Sequence, residues 1–222
     1  MPAGAAVALV GRSGAGKSTL AWLAGRLADP DAGTVLLDGT DLREFTKAAL
    51  REAVVYAFER PELLGDTPGD VIGFGFRRPD DAQVRAAAGQ AQAAAFLARL
   101  PRQMSTSLDR TPLSGGEVQR LGLARAFAHA DAARLLVLDD ATSSLDTVTE
   151  MLVARAVTDE LSGLTRLIVA HRAATAARAD LVAWLDGGRI RALAPHAELW
   201  ADREYRANFA AGGPDGRAGE AC

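Results

Sequence analysis

The sequence predicts an α/β fold in which a parallel sheet carries an inserted helical subdomain. The apolar segment Ala5–Val10 has the pattern of a buried strand, and it runs directly into a glycine-rich loop and a helix. Strand and helix patterns alternate again after Glu117. The chain has 222 residues, of which 49% are hydrophobic, and this is enough for one core.

The elements before the helical subdomain are predicted from apolar runs and turn residues. The helix after the loop extends to about Ala28, and short strands follow at Thr34–Leu37 and Val54–Tyr56. The pair Asp38-Gly39 closes the first of these strands as a turn.

The helical subdomain is predicted over about residues 61–130. Asp80-Asp81 can cap a helix that enters the Ala-rich run Val84–Leu100. Later in the chain, helices are predicted at Glu117–His129 and Val148–Leu161, each followed by a strand, at Leu135–Leu138 and Leu167–Ala170. A final hairpin joins strands Leu181–Leu185 and Arg189–Leu193 across Asp186-Gly187-Gly188. One domain is expected over residues 1–211, and residues 212–222 are expected to form a flexible tail.

Composition excludes several classes of protein. The 25 Lys and Arg against 28 Asp and Glu give a formal charge of −3, so no basic field attracts nucleic acid. No apolar stretch is long enough to cross a bilayer. The single cysteine, Cys222, allows no disulfide within the chain and favours a reducing cytosol. The apolar start of the chain, predicted as a buried strand, could alternatively be a signal peptide, but this segment lacks a basic n-region.

A glycine-rich loop between the first strand and the first helix predicts a phosphate-binding site. Its residues are Gly11, Arg12, Ser13, Gly14, Ala15, Gly16, Lys17, Ser18 and Thr19, which fit G-x-x-x-x-G-K-[ST]. Backbone N–H groups would converge on phosphate oxygens, Lys17 would neutralise the β- and γ-phosphates, and Ser18 would bind Mg²⁺. The alternative is a glycine-rich turn with an incidental Lys-Ser pair.

Two further motifs fit nucleotide chemistry. The apolar run Leu135–Leu138 ends in Asp139, which would lie beside the Mg²⁺ ion, although such a residue can also simply end a strand. Ser114, Gly115, Gly116 and Glu117 begin a helix and would form a second anion-binding corner, the alternative being an ordinary N-cap.

These motifs resemble the nucleotide-binding domain of ATP-binding cassette (ABC) transporters. The loop matches Walker A, L-L-V-L-D-D resembles Walker B and L-S-G-G-E matches the signature, while Asp146 lies in a D-loop-like S-L-D and His171 resembles the switch histidine. The resemblance implies a P-loop NTPase fold with an antiparallel β-subdomain, and ATP and Mg²⁺ as ligands. It also implies a second ABC domain, paired head to tail so that each ATP lies between one Walker A loop and the other signature.

The motifs A-T-S-S-L-D and V-A-H-R and the sequence after Ala179 resemble those of exporters of the multidrug and peptide type. The resemblance implies a transmembrane partner, fused or separate, and a location at the cytoplasmic face of the membrane. Taken alone, His171 fits a core or surface histidine equally well. In the family position it would contact the γ-phosphate or the attacking water.

Two residues depart from the family pattern. Asp140 stands where the family has the Glu that polarises water, and the shorter side chain withdraws the carboxylate by about 1 to 1.5 Å. Slow hydrolysis at a degenerate site is therefore the hypothesis, and a harmless conservative exchange is its alternative. Glu59 replaces the Q-loop glutamine; it can still bind Mg²⁺ through oxygen, or it is a solvated surface acid.

Only ten residues precede Gly11, whereas exporters have an earlier hairpin with an adenine-stacking aromatic residue. We therefore expect an incomplete β-subdomain and a chain cut from a longer transporter. Trp22 is expected to be packed within its helix, where it cannot replace the missing aromatic residue.

The sequence thus predicts an ATPase domain of an ABC exporter, with Asp140, His171 and Glu59 as catalytic candidates. The metal candidates are Ser18, Glu59 and Asp139. The substitution at Asp140 predicts a heterodimer in which the partner supplies the catalytic Glu. The alternatives are a soluble ATP-binding regulatory module and an inactive fragment.

Overall fold

The computed structural model describes residues 1–210 of the chain, and the predicted tail at residues 212–222 lies outside this range. The strands, numbered in chain order, are β1 (Ala6–Val10), β2 (Leu36–Leu37), β3 (Thr40–Asp41), β4 (Val54–Phe58), β5 (Leu135–Asp139), β6 (Thr165–Val169), β7 (Leu181–Asp186) and β8 (Arg189–Ala194). The helices are α1 (Lys17–Ala24), α2 (Lys47–Ala53), α3 (Pro68–Gly73), α4 (Asp81–Gln90), α5 (Ala94–Leu97), α6 (Gly115–Ala128), α7 (Thr147–Arg155), α8 (Ala173–Arg178), α9 (His196–Leu199) and α10 (Arg203–Ala210).

The main sheet has six strands in the order β4-β5-β6-β1-β7-β8. All neighbours run parallel except β7 and β8, which form an antiparallel hairpin. The predicted α/β class with a mainly parallel sheet is therefore confirmed. Strands β2 and β3 form a separate two-stranded hairpin.

Two interior strands of the sheet explain why the sequence has continuous apolar runs. Every residue of β1 and of β5 is buried. Both faces of a parallel sheet are covered, so its strands do not alternate between polar and apolar residues. One face packs against a core that includes Phe96 and Phe127, and the other against Leu42 and Leu50.

The segment between β4 and β5 is mainly helical. Helix α6 lies at its centre, because it packs against α3, α4 and strand β4. Asp80 caps α4 as predicted, and Gln83 completes a capping box. None of the helices in the described part combines the length and the hydrophobicity of a membrane span.

Helix α1 ends at Ala24 rather than at about Ala28, so the predicted end is wrong. Arg26 adopts a left-handed conformation with φ 55°, and the Leu27 amide donates to the Trp22 carbonyl. This is the hydrogen bond of a Schellman motif, which ends a helix although the following residues have good helix propensity.

The predicted single helix over Val84–Leu100 is also wrong. Helix α4 ends at Gln90, Gln92 is left-handed with φ 57°, and the short α5 follows. The break places Ala91 and Ala93 in the core, fully shielded from solvent. Gly89, next to the last residue of α4, is the one poor helix former near the break, and the alanines on both sides of it favour helix.

The predicted helix Val148–Leu161 is α-helical in its first part and π-helical in its second. Regular α7 ends at Arg155, and residues Ala156–Glu160 form a π-helical segment. The buried side chain of Arg166 donates to the carbonyls of Val157 and Thr158 inside this segment. The other predicted helices and strands agree with the structure to within two residues at each end.

Candidate functional site

Candidate residues from distant parts of the sequence meet at one edge of the sheet. Glu59 follows β4, Asp139 ends β5 and Asp140 follows it, His171 lies after β6 and Gly11 follows β1. In the sheet register Phe58 pairs with Asp139 and Leu9 with Val169. The carboxyl ends of parallel strands lie side by side, which is where open α/β sheets bind ligands.

The glycine-rich loop wraps around the ammonium group of Lys17. Gly14 and Gly16 have φ values of 78° and 97°, which residues other than glycine rarely adopt. Lys17 is only 7% exposed, and its Nζ donates to the carbonyls of Gly11 at 2.9 Å and Arg12 at 3.1 Å. Ala15 is buried, whereas Arg12, Ser13 and Thr19 are exposed around the loop.

The burial of Lys17 has an electrostatic consequence. Burial lowers the pKa of the ammonium group, and the carboxylates of Asp140 and Asp139 partly oppose this shift. Its only hydrogen bonds among the described residues are to two neutral carbonyls. A bound anion such as a phosphate would stabilise this buried charge, so the cradle fits a triphosphate.

Ser18 and Asp139 form a corner that fits a divalent cation. Ser18 Oγ donates to Asp139 Oδ1 at 3.0 Å, and Asp139 is 8% exposed. Glu59 is exposed and lines the same cavity of about 340 Å³. The described residues contain no group of three or more His, Cys, Asp and Glu side chains that could hold a metal by themselves. Mg²⁺ sites of few protein oxygens, completed by phosphates and water, have this composition.

Trp22 lies at the same corner, and the prediction that it is packed within its helix is wrong. The side chain is 45% exposed, and its Nε1 donates to Asp139 Oδ2 at 3.0 Å. Sequence reasoning missed this contact. The signal was available, since Ser18 and Trp22 are four residues apart and lie on one face of a helix.

Asp140 and His171 lie together beyond this corner. Asp140 adopts φ 53°, and its Oδ1 is 2.7 Å from His171 Nε2. The two atoms are close enough for an ion pair, and this buried oxygen has no hydrogen-bond partner among the described residues. Both side chains line a second cavity of about 320 Å³, in which a polar ligand could approach the carboxylate.

The signature residues do not line either of the two cavities that Asp140 borders. Ser114 caps α6, and Glu117 accepts from its backbone N–H and its hydroxyl, both at 2.9 Å. These hydrogen bonds lower the pKa of Glu117. A Cβ atom on Gly116 would lie 3.1 Å from the Ser144 carbonyl oxygen, so the signature packs closely on the loop before α7.

Asp146 caps α7 and does not contact the glycine-rich loop. It accepts from the backbone amides of Val148 and Thr149 and from the Thr149 hydroxyl. The bonds from Thr149 lower the pKa of Asp146. The residue is exposed.

Gln119 links two of these loops, and no local sequence pattern marks this residue. The side chain is 2% exposed; its Nε2 donates to the Glu59 carbonyl and to Ser143 Oγ, both at 2.8 Å. Its Oε1 accepts from the Ser144 amide at 2.8 Å. The amide therefore ties the loop after β4 and the loop before α7 to helix α6.

An apolar groove lies between the sheet edge and the helical segment. It has a volume of about 340 Å³, and its lining includes Tyr56, Phe58, Leu64, Phe74 and Phe76. Phe76 is 63% exposed, and the rings of Tyr56 and Phe58 stack with their centroids 5.2 Å apart. Clustered exposed aromatic side chains mark interaction surfaces.

Comparison with known proteins matches the chain to one family. The sequence profile described as ABC transporter matches residues 1–143. The chain is 57% identical over 212 residues to the ABC transporter ATP-binding protein RamA of Streptomyces coelicolor, an alignment that covers 96% of this chain and 33% of that protein. It is 39% identical over 215 residues to the ATP-dependent lipid A-core flippase of Alcanivorax borkumensis, covering 93% of this chain and 37% of the flippase.

A solved structure has the same fold. The structure of a bacterial Atm1-family ABC exporter with ATP bound superposes with a TM-score of 0.84 at 38% identity, covering 93% of this chain and 37% of that one. The chain spans about a third of the length of these relatives.

Proposed function

The chain belongs to the ABC transporter family, and from this premise we propose that it is the ATP-binding and ATP-hydrolysing domain of an exporter. The observation that carries the proposal is the buried Lys17 ammonium inside the glycine-rich loop, next to the Ser18–Asp139 pair. Relatives named as a flippase and as an exporter support the direction of transport.

The loop residues bind the triphosphate of ATP. Backbone amides of residues 11–19 and the start of α1 face the phosphates, and Lys17 exchanges its carbonyl partners for phosphate oxygens. Ser18, Asp139 and Glu59 hold Mg²⁺, which supplies positive charge against the phosphate oxygens when it is bound.

Asp140 and His171 act on the water that attacks the γ-phosphate. The Asp140 carboxylate lines the cavity beside His171 and is the acceptor proposed for a water proton, with His171 Nε2 2.7 Å from its Oδ1. Because Asp is one methylene shorter than Glu, the carboxylate reaches less far toward this water. The site formed by this loop therefore hydrolyses ATP slowly.

The signature corner serves a second ABC domain. Ser114–Glu117 and Asp146 lie outside the cavities beside the glycine-rich loop of the same chain. The exposed start of α6 offers amides and a hydroxyl to the γ-phosphate of an ATP molecule bound by the other domain. With Asp140 at one site, a heterodimer whose other member carries Glu at this position restores one fast site.

The apolar groove receives the transmembrane partner. Its exposed Phe74 and Phe76 support the docking of a helix, and Phe58 in its lining is the neighbour of Glu59 in the loop after β4, so movement of that helix could reach this loop. Docking of this kind would hold the domain at the cytoplasmic face of the membrane.

Binding of trinitrophenyl-ATP to the 222-residue chain, followed by fluorescence and by displacement with ATP, tests the proposal. Lys17→Ala is expected to weaken binding at least about tenfold, since a buried charge-assisted contact is lost. Lys47→Ala, at an exposed position of α2, is the matched control and should bind as the wild type does. Binding that is absent in the wild type, or equal in the Lys17 variant, would overturn the proposal.

A further inference from the structure

We infer that the indole of Trp22 is a positioning group for the metal-binding carboxylate of Asp139. Its N–H holds one carboxylate oxygen, and this fixes the direction in which the other oxygen faces the cation. The inference rests on the proposed Mg²⁺-ATP site and adds to it a residue that the family pattern does not assign.

Two donors on one helix face hold the two oxygens of Asp139 separately. Ser18 Oγ bonds to Oδ1 and Trp22 Nε1 bonds to Oδ2, both at 3.0 Å. The two residues are one helical turn apart on α1, which begins at Lys17. A carboxylate bonded through both oxygens cannot rotate about its χ2 angle without losing a partner.

The exposure of Trp22 also argues for a role at the site. An indole that served only to fill the core would be buried, as Trp184 is with 4% exposure. Trp22 instead lines the cavity that Ser18, Glu59 and Asp139 share. Its helix is held in place on the same side, because Tyr56 Oη donates to the Ala21 carbonyl at 2.8 Å.

The hydrogen bond has a directional consequence for the cation. The Trp22 N–H on Oδ2 and the Ser18 hydroxyl on Oδ1 each occupy one lone pair, and together they fix the plane of the carboxylate so that Oδ1 faces the cation beside the Ser18 oxygen. The orientation exists before the metal arrives, and preorganised ligands bind more tightly because less ordering is needed. Loss of the N–H should therefore raise the Mg²⁺ requirement without changing the affinity for the nucleotide itself.

The test compares Trp22→Phe, which keeps a ring and removes the donor, with Trp200→Phe, which alters another exposed tryptophan. Trinitrophenyl-ATP binding is measured in EDTA and then during Mg²⁺ titration. In EDTA both variants are expected to bind as the wild type does. The Mg²⁺ concentration for half-maximal response should rise about tenfold in Trp22→Phe alone, in line with the loss of one hydrogen bond to a charged group.

A second measurement follows the wild-type chain by NMR. The indole ¹⁵N–¹H resonances of its three tryptophans are recorded, and the resonance that is missing from the spectrum of Trp22→Phe is assigned to Trp22. The Trp22 resonance should shift when Mg²⁺ is added to the ATP-loaded chain, with smaller changes at Trp184 and Trp200. A stationary Trp22 resonance, or a wild-type Mg²⁺ requirement in a folded Trp22→Phe variant, would overturn the inference and leave the nucleotide site intact. Failure of the proposed function is distinct, since nucleotide would then not bind in EDTA or in Mg²⁺.

Discussion

The side-chain amide of Gln119 donates to the main-chain carbonyl of Glu59 at 2.8 Å, and this bond joins helix α6 to the loop after β4. The same amide reaches Ser143 and Ser144 in the loop before Asp146. Since all three bonds end on one buried side chain, movement of either loop must move or break the bonds to the other. Gln119 is thus the point at which helix α6, the loop after β4 and the loop before α7 are mechanically linked.

Replacement of this residue tests that linkage. Gln119→Leu keeps the approximate side-chain volume but leaves the Glu59 carbonyl and the Ser144 amide without their partner. We expect the free energy of unfolding in urea to fall by about 2 to 3 kcal/mol. Gln90→Leu, on the surface of α4, is the matched control and should change stability by less than about 0.5 kcal/mol. Equal effects of the two substitutions would contradict the linkage.

Asp140→Glu is expected to raise ATP turnover. The longer side chain restores the reach of the family's glutamate, and general-base catalysis depends steeply on that reach. We expect an increase of at least about tenfold in the ATPase rate of the complete assembly, measured by phosphate release. Because Asp140 has φ 53°, Glu should also cost about 1 kcal/mol of stability. An unchanged rate, matching that of the exposed control Asp159→Glu, would argue against a degenerate site.

Glu117 makes the stability of the domain depend on pH in the acid range. Hydrogen bonds from Ser114 lower its folded pKa below the unfolded value of about 4.3. Its contribution is therefore present above about pH 4.3 and is lost as the pH falls through the folded pKa. Glu117→Gln keeps a capping-box acceptor that does not titrate.

The measurement is urea unfolding of both proteins from pH 7 to pH 3. The stability difference between the wild type and Glu117→Gln should be constant near neutrality and should shrink toward zero or change sign as the pH falls. Glu52→Gln, on the exposed side of α2, is the control and should follow the wild-type curve. A difference that does not vary with pH would show that the Ser114 contacts do not hold the carboxylate.

Local sequence signals were sufficient to predict the sheet and the loops at its edge. The apolar runs of β1 and β5 and the glycine pattern before Lys17 are features of neighbouring residues, and the parallel sheet follows from them. The ends of helices were less predictable. The break after Gln90 depends on packing of Ala91 and Ala93 in the core, and alanine itself gives no sign of a break.

Side chains that act across the fold could not be located in this way. Gln119 is one polar residue in an ordinary helix until the fold brings Glu59 and Ser143 to it, 60 and 24 positions away in sequence. Buried Arg166 likewise finds its carbonyl partners only after the π-helical segment has packed against β6. Trp22 is different, because its spacing of four residues from Ser18 on one helix is a local feature of the sequence.

The central claim is that ATP held by the glycine-rich loop of one domain is covered by the signature corner of another. Cysteine crosslinking in membranes that contain the complete assembly tests it most directly, with Cys222 first replaced by Ser. A cysteine at Ser13 of this chain should crosslink to one at the signature serine of the partner domain, and a cysteine at Ser114 to one in the partner's glycine-rich loop. We predict that both crosslinks form with ATP and weaken without it. If neither crosslink forms in ATP-loaded membranes, the signature corner of one domain does not cover the ATP held by the other, and the central claim is wrong.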